Sequence, residues 1–416
     1  MRILWLTESP SKYKVEKTGY NGRGWIESLQ TLLENCSEID QLGIAFSHKK
    51  DSKKQKFDQI IYYPIKQVKP KHLISRTISN WRNKIDSKEE ISQLELIIED
   101  FKPDVIHIFG TESWLCHAVK MSNVPTLVHL QGIIMPILNA YIPSGISQVD
   151  LVKFSLRDFI KGTSLWHMIR KYEKMAQREY NFLKNTAYFM GRTNWDKSIT
   201  GFLSPKSKYF HVDEVLRDIF YDTAQWKYNK HGKIIITSTL SDSMYKGLDL
   251  IIKTAKILIK EGYDFEWRVI GIKNDSYKVK FFRNIFKSDL DSLNMNLLGV
   301  KTSEEIVSLL SETSIFVHTS YIDNSPNSLC EAQMLGVPII STNVGGICSL
   351  IDDTIDGFLV PSNDPYLLAS RIAQISCDEE TLTSLSNQAR KKAIKRHSKE
   401  NITKQLIGTY KYLATN

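Results

Sequence analysis

Several features that mark common protein classes are missing from this 416-residue sequence. No apolar run approaches the roughly 20 residues that a membrane-spanning helix needs, so we expect no such helix. The cysteines are odd in number and scattered, without metal-ligand spacing (Cys36, Cys116, Cys330, Cys348 and Cys377). They indicate small buried residues in a reducing compartment rather than a disulfide framework or a zinc site. No internal repeat, low-complexity tract or nucleic-acid-binding module is recognisable.

What is present is a two-domain α/β pattern. The chain is too long for one hydrophobic core, and strand and helix signals alternate along both halves. The start, MRILWLTESP, turns polar after six residues, so we expect a first strand there and not a signal peptide. Residues 218–232 are polar and rich in turn formers, without strong periodicity. We therefore predict a first domain over 1–217, a linker over 218–232 and a second domain over 233–394.

The net charge of +9 is concentrated in the first domain. The early basic residues are Lys49, Lys50, Lys53, Lys54, Lys56, Lys66, Lys69, Lys71, Arg76, Arg82 and Lys84. Such a surface suits nucleic acid, anionic lipid or an anionic substrate, and the missing nucleic-acid modules argue against the first. A solvated face and a face that rests on an anionic membrane both remain open. Residues 151–183, where aromatic side chains alternate with Lys and Arg, allow the same choice between core packing and membrane contact.

The strongest local signals lie between Ile315 and Pro338. An apolar run that begins at Ile315 predicts a buried parallel strand, and a polar loop with Asp323 follows. A helix is then indicated by Ser325 as N-cap, by Pro326 as first helical residue and by a Gly just past its end. In an open α/β sheet, such a helix begins at the crevice beyond the strand ends, where ligands bind.

The start of this helix has the chemistry of a phosphate site. The N–H groups of Asn327, Ser328 and Leu329 would lack intrahelical acceptors, and the helix dipole favours an anion there. About one turn further in, Glu331 can accept two hydrogen bonds from a vicinal diol such as a ribose. A diphosphate held at the start of the helix, with the carboxylates of Glu331 and Asp323 on either side, is what a nucleotide-sugar site requires. The same pattern also fits a capped amphipathic helix with a chance surface carboxylate, because caps are common.

The segment SYIDNSPNSLCEAQMLGVPIISTNVGG resembles the C-terminal donor motif of family 4 retaining glycosyltransferases, which have the GT-B fold. In that family a Glu, seven residues and a second Glu are followed by Ala and Gly-x-Pro. Glu331 matches the second Glu and Gly336-Val337-Pro338 the Gly-x-Pro, while the shorter Asp323 stands at the first position. The resemblance implies two Rossmann-like α/β domains that face a central cleft. It also implies that a final helix, 395–416, packs back on the first domain.

The resemblance implies further donor contacts in the second domain. Lys246-Gly247 resembles the family's "KG", whose Lys pairs with the donor diphosphate. The Arg of the usual "GRL" has no counterpart, since Ser238-Thr239-Leu240 stands there. The candidates to replace it are Arg23, Arg192 and Arg217. Gly271, at the cleft end of a strand, and Val300, in a loop that stacks on the base in relatives, complete the predicted donor contacts.

The resemblance also points to the loops of the first domain that face the cleft. Gly22 and Gly24 match the Gly-rich loop that lies across from the donor phosphates in GT-B enzymes. Gln131 stands where many relatives have a His near the transferring sugar, and because Gln cannot titrate we expect no acid–base role there. His129 is expected to be a core residue. Glu112 is either an acceptor contact or simply a solvated side chain.

Taken together, the resemblance implies glycosyl transfer with retention, from a UDP- or GDP-sugar to a glycan or lipid-linked acceptor in surface polysaccharide biosynthesis. Lys246, Asp323 and Glu331 are the catalytic candidates. No metal or other cofactor is expected, and no nucleic acid. The expected location is the cytoplasm, with the basic charge favouring the inner face of the plasma membrane. A non-catalytic nucleotide-sugar-binding subunit remains an alternative because of the absent Arg and of Gln131, and a nucleotide-sugar epimerase is a further one.

Overall fold

The computed structural model describes residues 1–13, 24–34, 36–68, 70, 72–229 and 232–416. The strands are β1 (Arg2–Thr7), β2 (Gln41–His48), β3 (Gln55–Phe57), β4 (Ile60–Lys66), β5 (Val105–Phe109), β6 (Thr126–His129), β7 (Tyr188–Gly191), β8 (Lys208–His211), β9 (Ile234–Thr239), β10 (Phe265–Ile270), β11 (Met295–Gly299), β12 (Ile315–His318), β13 (Ile339–Thr342) and β14 (Phe358–Val360). Within the described residues they form two separate sheets, which agrees with the predicted α/β class.

The helices surround these sheets. They are α1 (Gly24–Leu33), α2 (Leu73–Trp81), α3 (Lys88–Phe101), α4 (Ile134–Asn139), α5 (Gln148–Lys153), α6 (Leu156–Ile160), α7 (Leu165–Leu183), α8 (Asn194–Leu203), α9 (Asp218–Asp222), α10 (Leu248–Lys260), α11 (Tyr277–Phe286), α12 (Ser303–Ser311), α13 (Asn327–Leu335), α14 (Pro365–Ile375), α15 (Glu379–Arg396) and α16 (Lys399–Thr415). Short 3₁₀-helices span Trp114–Lys120, Met244–Lys246, Asp291–Leu293 and Ile347–Ser349. In the described part of the chain, no helix is long and apolar enough to cross a bilayer.

The first sheet has the strand order β3-β4-β2-β1-β5-β6-β7-β8 and is parallel except for the antiparallel edge strand β3. Its central strand β1 is apolar because both of its faces are covered by helices. Ile3 and Trp5 point into one hydrophobic cluster, whereas Leu4 and Leu6 point into the cluster on the opposite face. The second sheet has the order β11-β10-β9-β12-β13-β14 and is parallel throughout. Each sheet therefore brings the carboxyl ends of its parallel strands to one edge.

The end of the chain returns to the first sheet. Tyr410, in α16, is buried, and its hydroxyl accepts a hydrogen bond from Trp5 Nε1 at 3.0 Å. The same hydroxyl lies 2.7 Å from Nδ1 of His107, in β5. Ile402, Leu406 and Leu413 share the hydrophobic cluster of β1. The last helix thus completes the core of the first domain.

The predicted linker, 218–232, begins with helix α9 and packs against the second domain. Phe220 is fully buried, and Trp226 donates its indole N–H to the carbonyl of Thr313 at 2.7 Å. The backbone N–H of Trp226 also bonds the carbonyl of Leu335 at 2.8 Å. A few aromatic residues therefore fix a segment that shows no periodicity in the sequence.

The predicted start of α13 is wrong by one residue. The helix begins at Asn327, and Pro326 is its N-cap in an extended conformation, with ψ of 120°. Ser325 does not cap it, because its hydroxyl donates to the buried carboxylate of Glu214 at 2.5 Å. The predicted end is confirmed, since Gly336 terminates the helix with a left-handed φ of 76°.

Candidate active site

A cavity of about 340 Å³ opens at the carboxyl edge of the second sheet, beside the start of α13. Its walls are the residues that end β9, β10, β11 and β12 or follow them, together with the 3₁₀-turn before α10. The lining residues are Thr239, Leu240, Ser241, Asp242, Lys246, Gly271, Val300, His318, Asp323, Pro326, Asn327 and Ser328. The structure therefore brings together six predicted site residues, which are Lys246, Gly271, Val300, Asp323, Asn327 and Ser328.

An ion pair forms one wall of this cavity. Lys246 Nζ lies 2.6 Å from Asp323 Oδ2, and His318 Nε2 and the hydroxyl of Ser320 each lie 3.1 Å from the same oxygen. Burial alone would raise the pKa of Asp323, but the charge of Lys246 outweighs it and holds that pKa well below its usual range. Burial opposes the charge of Lys246 as well, and the Asp323 carboxylate more than compensates, so the Lys246 pKa is raised. Both groups are therefore ionised at neutral pH.

The first turn of α13 forms the wall next to the ion pair. Asn327 and Ser328 line the cavity, but Leu329 does not, and its N–H is not without an acceptor as predicted. Its side chain is fully buried in the core, and its N–H bonds the carbonyl of Pro326 at 3.0 Å. The helix starts with a tight turn, which uses this N–H internally.

Glu331 is buried behind the cavity rather than in its lining. Arg217 holds it, with Nε at 3.0 Å and Nη2 at 2.7 Å from the same carboxylate oxygen, Oε1. Burial raises the pKa of Glu331, and the guanidinium of Arg217 opposes this shift. Arg217 also donates to the hydroxyl of Ser303 at 2.5 Å. The ribose contact of Glu331 stays a prediction. Arg217, a candidate to replace the missing phosphate-binding Arg, is paired with the Glu331 carboxylate.

The other described candidate for a phosphate cation, Arg192, does not line the cavity. Arg192 is buried away from the cavity, stacked over the ring of Trp25 at 4.2 Å, with Nε 3.6 Å from Glu214. Gly22 and Arg23 lie outside the described residues. Gly24 begins α1 against the side chain of Arg217, where an added Cβ would come within 3.0 Å of its Cδ. Of the described residues that line the cavity, Lys246 is the one with a permanent positive charge.

One cluster has the donor atoms of a metal site but not its electrostatics. Atoms of Glu214, Cys330 and His397 lie within 4.8 Å of one another, all buried. Arg192 and Arg396 approach the Glu214 carboxylate at 3.6 Å and 3.7 Å. Burial raises the pKa of the Cys330 thiol, which donates to Glu214 at 2.8 Å. A metal ligand would be a thiolate, and two guanidinium groups would repel a cation, so this cluster is a structural charge network.

A second cavity, of about 260 Å³, lies at the carboxyl edge of the first sheet. It is lined by Glu8, Ile85, Glu112, Ser113, Trp114, Lys171, Met175 and Arg178. Glu112, a predicted acceptor contact, is thus in a cavity wall, whereas the half-buried Gln131 is not in the lining. His129 is a core residue as predicted, with Nδ1 3.2 Å from Nε2 of His107 and with its pKa lowered well below the usual value by burial.

Sequence reasoning did not select several residues of the cavity beside the start of α13, called here the donor-side cavity because it contains predicted donor contacts. They are Thr239, Leu240, Ser241, Asp242, Pro326 and His318. A usable signal was position, because all but Pro326 lie at, or within three residues after, the end of β9 or β12. In parallel sheets the residues that follow strand ends meet at the ligand edge. Lys278 is buried next to the lining residue Asp242, with its Nζ 3.6 Å from the Asp242 carboxylate.

Two Rossmann-like domains, with a charged cavity at the ligand edge of the second, define a GT-B protein. Known structures agree on the fold. Sucrose-phosphate synthase from Thermosynechococcus elongatus superposes with a TM-score of 0.73 at 14% identity, over 99% of this chain and 98% of that chain. Anabaena HepE, solved in complex with UDP-glucose, superposes with a TM-score of 0.65 at 13% identity, over 99% of both chains.

Residues 221–392 match the family model described as Glycosyl transferases group 1, which identifies the second domain as a group 1 glycosyltransferase domain. The putative colanic acid biosynthesis glycosyltransferase WcaL of Salmonella typhimurium is 30% identical over 39% of this chain and 41% of its own length. The amylovoran biosynthesis glycosyltransferase AmsK of Erwinia amylovora is 30% identical over 39% of this chain and 40% of its own length. The matches thus span about two fifths of these curated relatives.

Proposed function

We propose that the protein is a family 4 retaining glycosyltransferase that transfers a sugar from a UDP- or GDP-sugar to a glycan or lipid-linked acceptor. The observation that carries the proposal is the cavity in which the Lys246–Asp323 pair meets the start of α13. The names of WcaL and AmsK refer to colanic acid and amylovoran biosynthesis, which supports surface polysaccharide as the product. HepE binds UDP-glucose, which favours a uridine donor as the first to test.

The chemistry follows from the charges around the cavity. A nucleoside diphosphate that enters it meets Lys246 and the positive end of the α13 dipole, which together stabilise the departing diphosphate. The phosphate competes with Asp323 for Lys246, so the carboxylate becomes available to the sugar. Because Asp323 stays ionised, it can accept hydrogen bonds from sugar hydroxyls and stabilise the positive charge that develops on the sugar ring.

This proposal needs no metal ion or other cofactor. Lys246 and the helix start supply the positive charge that a divalent cation supplies in other transferases. We accordingly expect the rate of sugar transfer to be unchanged by an excess of EDTA. A rate that falls on chelation and returns with Mg²⁺ or Mn²⁺ would contradict the metal-independent mechanism.

The decisive experiment measures release of nucleoside diphosphate from a panel of UDP- and GDP-sugars. We expect slow hydrolysis of one donor, reduced about 100-fold in both Lys246→Ala and Asp323→Asn, because each removes a charge next to the reacting groups. Lys260→Ala, at the exposed end of α10, is the matched control and should hydrolyse the donor like the parent protein. Full activity in Lys246→Ala would contradict the assignment of this cavity.

A non-catalytic subunit that binds a nucleotide sugar is the second candidate. Two features favour it. No described residue that lines the cavity is an arginine, and Gln131 stands where many relatives have a His. Calorimetric titration with UDP and GDP separates the two functions. Tight binding without turnover, even when cell-envelope glycolipids are supplied as acceptors, would favour the non-catalytic subunit.

We further propose that the protein works in the cytoplasm at the inner face of the plasma membrane. The support is the basic charge of the first domain and its position on the acceptor side of the cleft. A lipid-linked acceptor would be presented from that face.

A further inference from the structure

Helix α2 is a surface helix whose apolar side chains are unusually exposed. No residue of α2 is buried, although the helix contains the large apolar residues Leu73, Ile74 and Ile78. Leu73 is 76% exposed and Ile74 is 77% exposed. Exposed apolar side chains are common singly, but a cluster of large ones marks an interaction surface.

Helix α6 adds a second pair of exposed apolar residues next to α2. Leu156 is 64% exposed and Ile160 is 69% exposed, and their spacing of four residues puts both on the same side of the helix. The two helices are separated by 74 residues of sequence but meet through Trp81, at the end of α2. Its indole N–H donates to the carbonyl of Ile160 at 2.9 Å.

Further contacts fix the two helices side by side. The ring of Trp81 lies edge-on to Phe159 with a centroid distance of 5.4 Å, and Asn80 donates to the carbonyl of Lys161 at 3.2 Å. Gly162 follows at a close approach, where an added Cβ would come within 2.8 Å of the Asn80 side chain. The exposed residues Leu73, Ile74, Ile78, Leu156 and Ile160 therefore belong to one built surface, called here the α2–α6 patch.

The sequence at and next to α2 and α6 carries mostly positive charge. Between Asp58 and Asp86 the sequence has no acidic residue and six basic ones, which are Lys66, Lys69, Lys71, Arg76, Arg82 and Lys84. Lys69 and Lys71 lie outside the described residues. Arg157 and Lys161 add two exposed cations at α6. The acid in α6, Asp158, accepts a hydrogen bond from Ser155 at 2.6 Å within the helix cap.

We propose that the α2–α6 patch docks onto an anionic lipid bilayer. The apolar side chains insert at the level of the headgroups, and the surrounding Lys and Arg side chains contact the lipid phosphates. Trp81 suits this position because its ring is partly exposed while its N–H is already bonded. Charge complementarity selects the bilayer over a second copy of this chain, whose own patch carries the same positive charge.

The patch is close in sequence and structure to the second cavity, which is lined by the predicted acceptor contact Glu112. Ile85, in the wall of that cavity, lies four residues after the end of α2, and the neighbouring Asp86 forms an ion pair with Arg178 from another wall. A docked patch would hold the cavity near the headgroups. The inference rests on the proposed function in this respect, because a lipid-linked acceptor is what the cavity would meet there.

Flotation with vesicles of phosphatidylglycerol and phosphatidylcholine tests the docking. We expect the full-length protein to float with these vesicles at low salt, to be released at high salt, and not to bind vesicles of phosphatidylcholine alone. The double variants Leu73→Ser/Ile74→Ser and Leu156→Ser/Ile160→Ser should each lower the partition coefficient by about tenfold or more, because they remove inserted apolar groups. Tyr366→Ser, at an exposed aromatic residue of the second domain, is the control and should bind like the parent protein.

Several outcomes would overturn the docking inference. They are the absence of flotation at low salt, equal binding to vesicles without anionic lipid, and full binding by both double variants. A concentration-dependent dimer in sedimentation velocity that the same variants abolish would assign the patch to a second copy of the chain instead. Hydrolysis of the nucleotide sugar in solution separates this inference from the proposed function: hydrolysis without flotation removes only the docking, and flotation without hydrolysis or nucleotide binding removes the transfer reaction.

Discussion

Glu179 is the buried carboxylate that connects the cleft-facing loops of the first domain. It accepts hydrogen bonds from the N–H groups of Ile134 and Met135 at 2.9 Å and 3.0 Å, and from the hydroxyl of Thr111. The oxygen of the same Thr111 hydroxyl lies 3.2 Å from the carbonyl oxygen of Gly132. The side chain of this one α7 residue therefore forms hydrogen bonds with the loop after β5 and with the first N–H groups of α4, which follows β6.

The contribution of this group to the stability of the protein should fall with rising pH. Burial raises the pKa of Glu179 from 4.5 to about 7, although its hydrogen bonds act in the opposite direction. The native state thus keeps a proton that the unfolded chain releases, so the contribution of Glu179 to the free energy of unfolding decreases from about pH 4.5 to about pH 7 and is level above. The free energy of unfolding of the parent protein, relative to that of Glu179→Gln, should therefore decrease by about 3 kcal/mol over this pH range.

Urea unfolding at several pH values measures this effect. Glu173→Gln, at a partly exposed residue of the same helix paired with Arg170, is the matched control and should keep the slope of the parent protein. Parallel curves for Glu179→Gln and the parent protein would show that Glu179 is ionised in the native state throughout this range.

At the scale of elements, one tight turn positions the ion pair of the donor-side cavity. Gly247 joins the 3₁₀-helix that contains Lys246 to α10, with a left-handed φ of 80°. The turn lies against the loop after β12, where Thr319 donates its hydroxyl to the carbonyl of Lys246 at 3.0 Å. A Cβ added at Gly247 would overlap the carbonyl oxygen of Thr319. The contact of these two loops sets the distance between Lys246 and Asp323.

Gly247→Ala and Gly262→Ala form a matched pair that isolates this contact. Both residues have φ near 80°, but a Cβ at Gly262 meets nothing within 4 Å. We expect Gly262→Ala to lower the free energy of unfolding by about 1–2 kcal/mol, the usual cost of a left-handed Ala, and to retain donor hydrolysis. Gly247→Ala should lose more stability and should lose donor hydrolysis, as measured by urea unfolding and nucleoside diphosphate release. Equal effects of the two substitutions would contradict the role of this turn.

The elements themselves were largely readable from the sequence. Buried parallel strands such as β1, β9 and β12 appear as short apolar runs, and the loops after β9 and β12 contain Lys246 and Asp323. The resemblance to a family motif was needed to single out Lys246. Contacts between distant segments were not readable. Ser325 leaves its predicted cap for Glu214, 111 residues away, and Glu331 is held by Arg217, 114 residues away. Local pattern does not encode such pairs, because they depend on how the two domains meet.

At the scale of the whole molecule, polar contacts join the two domains next to the donor-side cavity. Asn324, adjacent to Asp323, accepts from the hydroxyl of Thr193 at 2.6 Å and donates to Asp196 at 2.9 Å. The N–H of Asn194 bonds the hydroxyl of Ser349 at 3.0 Å. The start of α8 in the first domain therefore contacts the loop that contains Asp323.

Helix α16 is a further connection, and Tyr410 tests it. Tyr410→Phe removes the hydroxyl that bonds Trp5 and leaves His107 without that partner, so we expect a loss of about 1–3 kcal/mol in the free energy of unfolding. Hydrogen exchange should rise in β1 and β5 in particular. Tyr412→Phe, on the same helix, is the control and should change stability little, since its ring packs at the surface near Lys208. Equal exchange in both variants would show that the hydroxyl contributes nothing to the first domain.

The return of α16 restricts how this protein can be recombined with its relatives. The core of the first domain is built from residues at both ends of the chain, Trp5 and Tyr410 among them. A hybrid gene that exchanges the donor half for that of another enzyme therefore needs two crossover points, one near residue 217 and one just before Lys399. A single crossover would pair the first domain with a foreign last helix. Specificity for the sugar and for the acceptor can thus be inherited separately only when the two ends of the chain stay together.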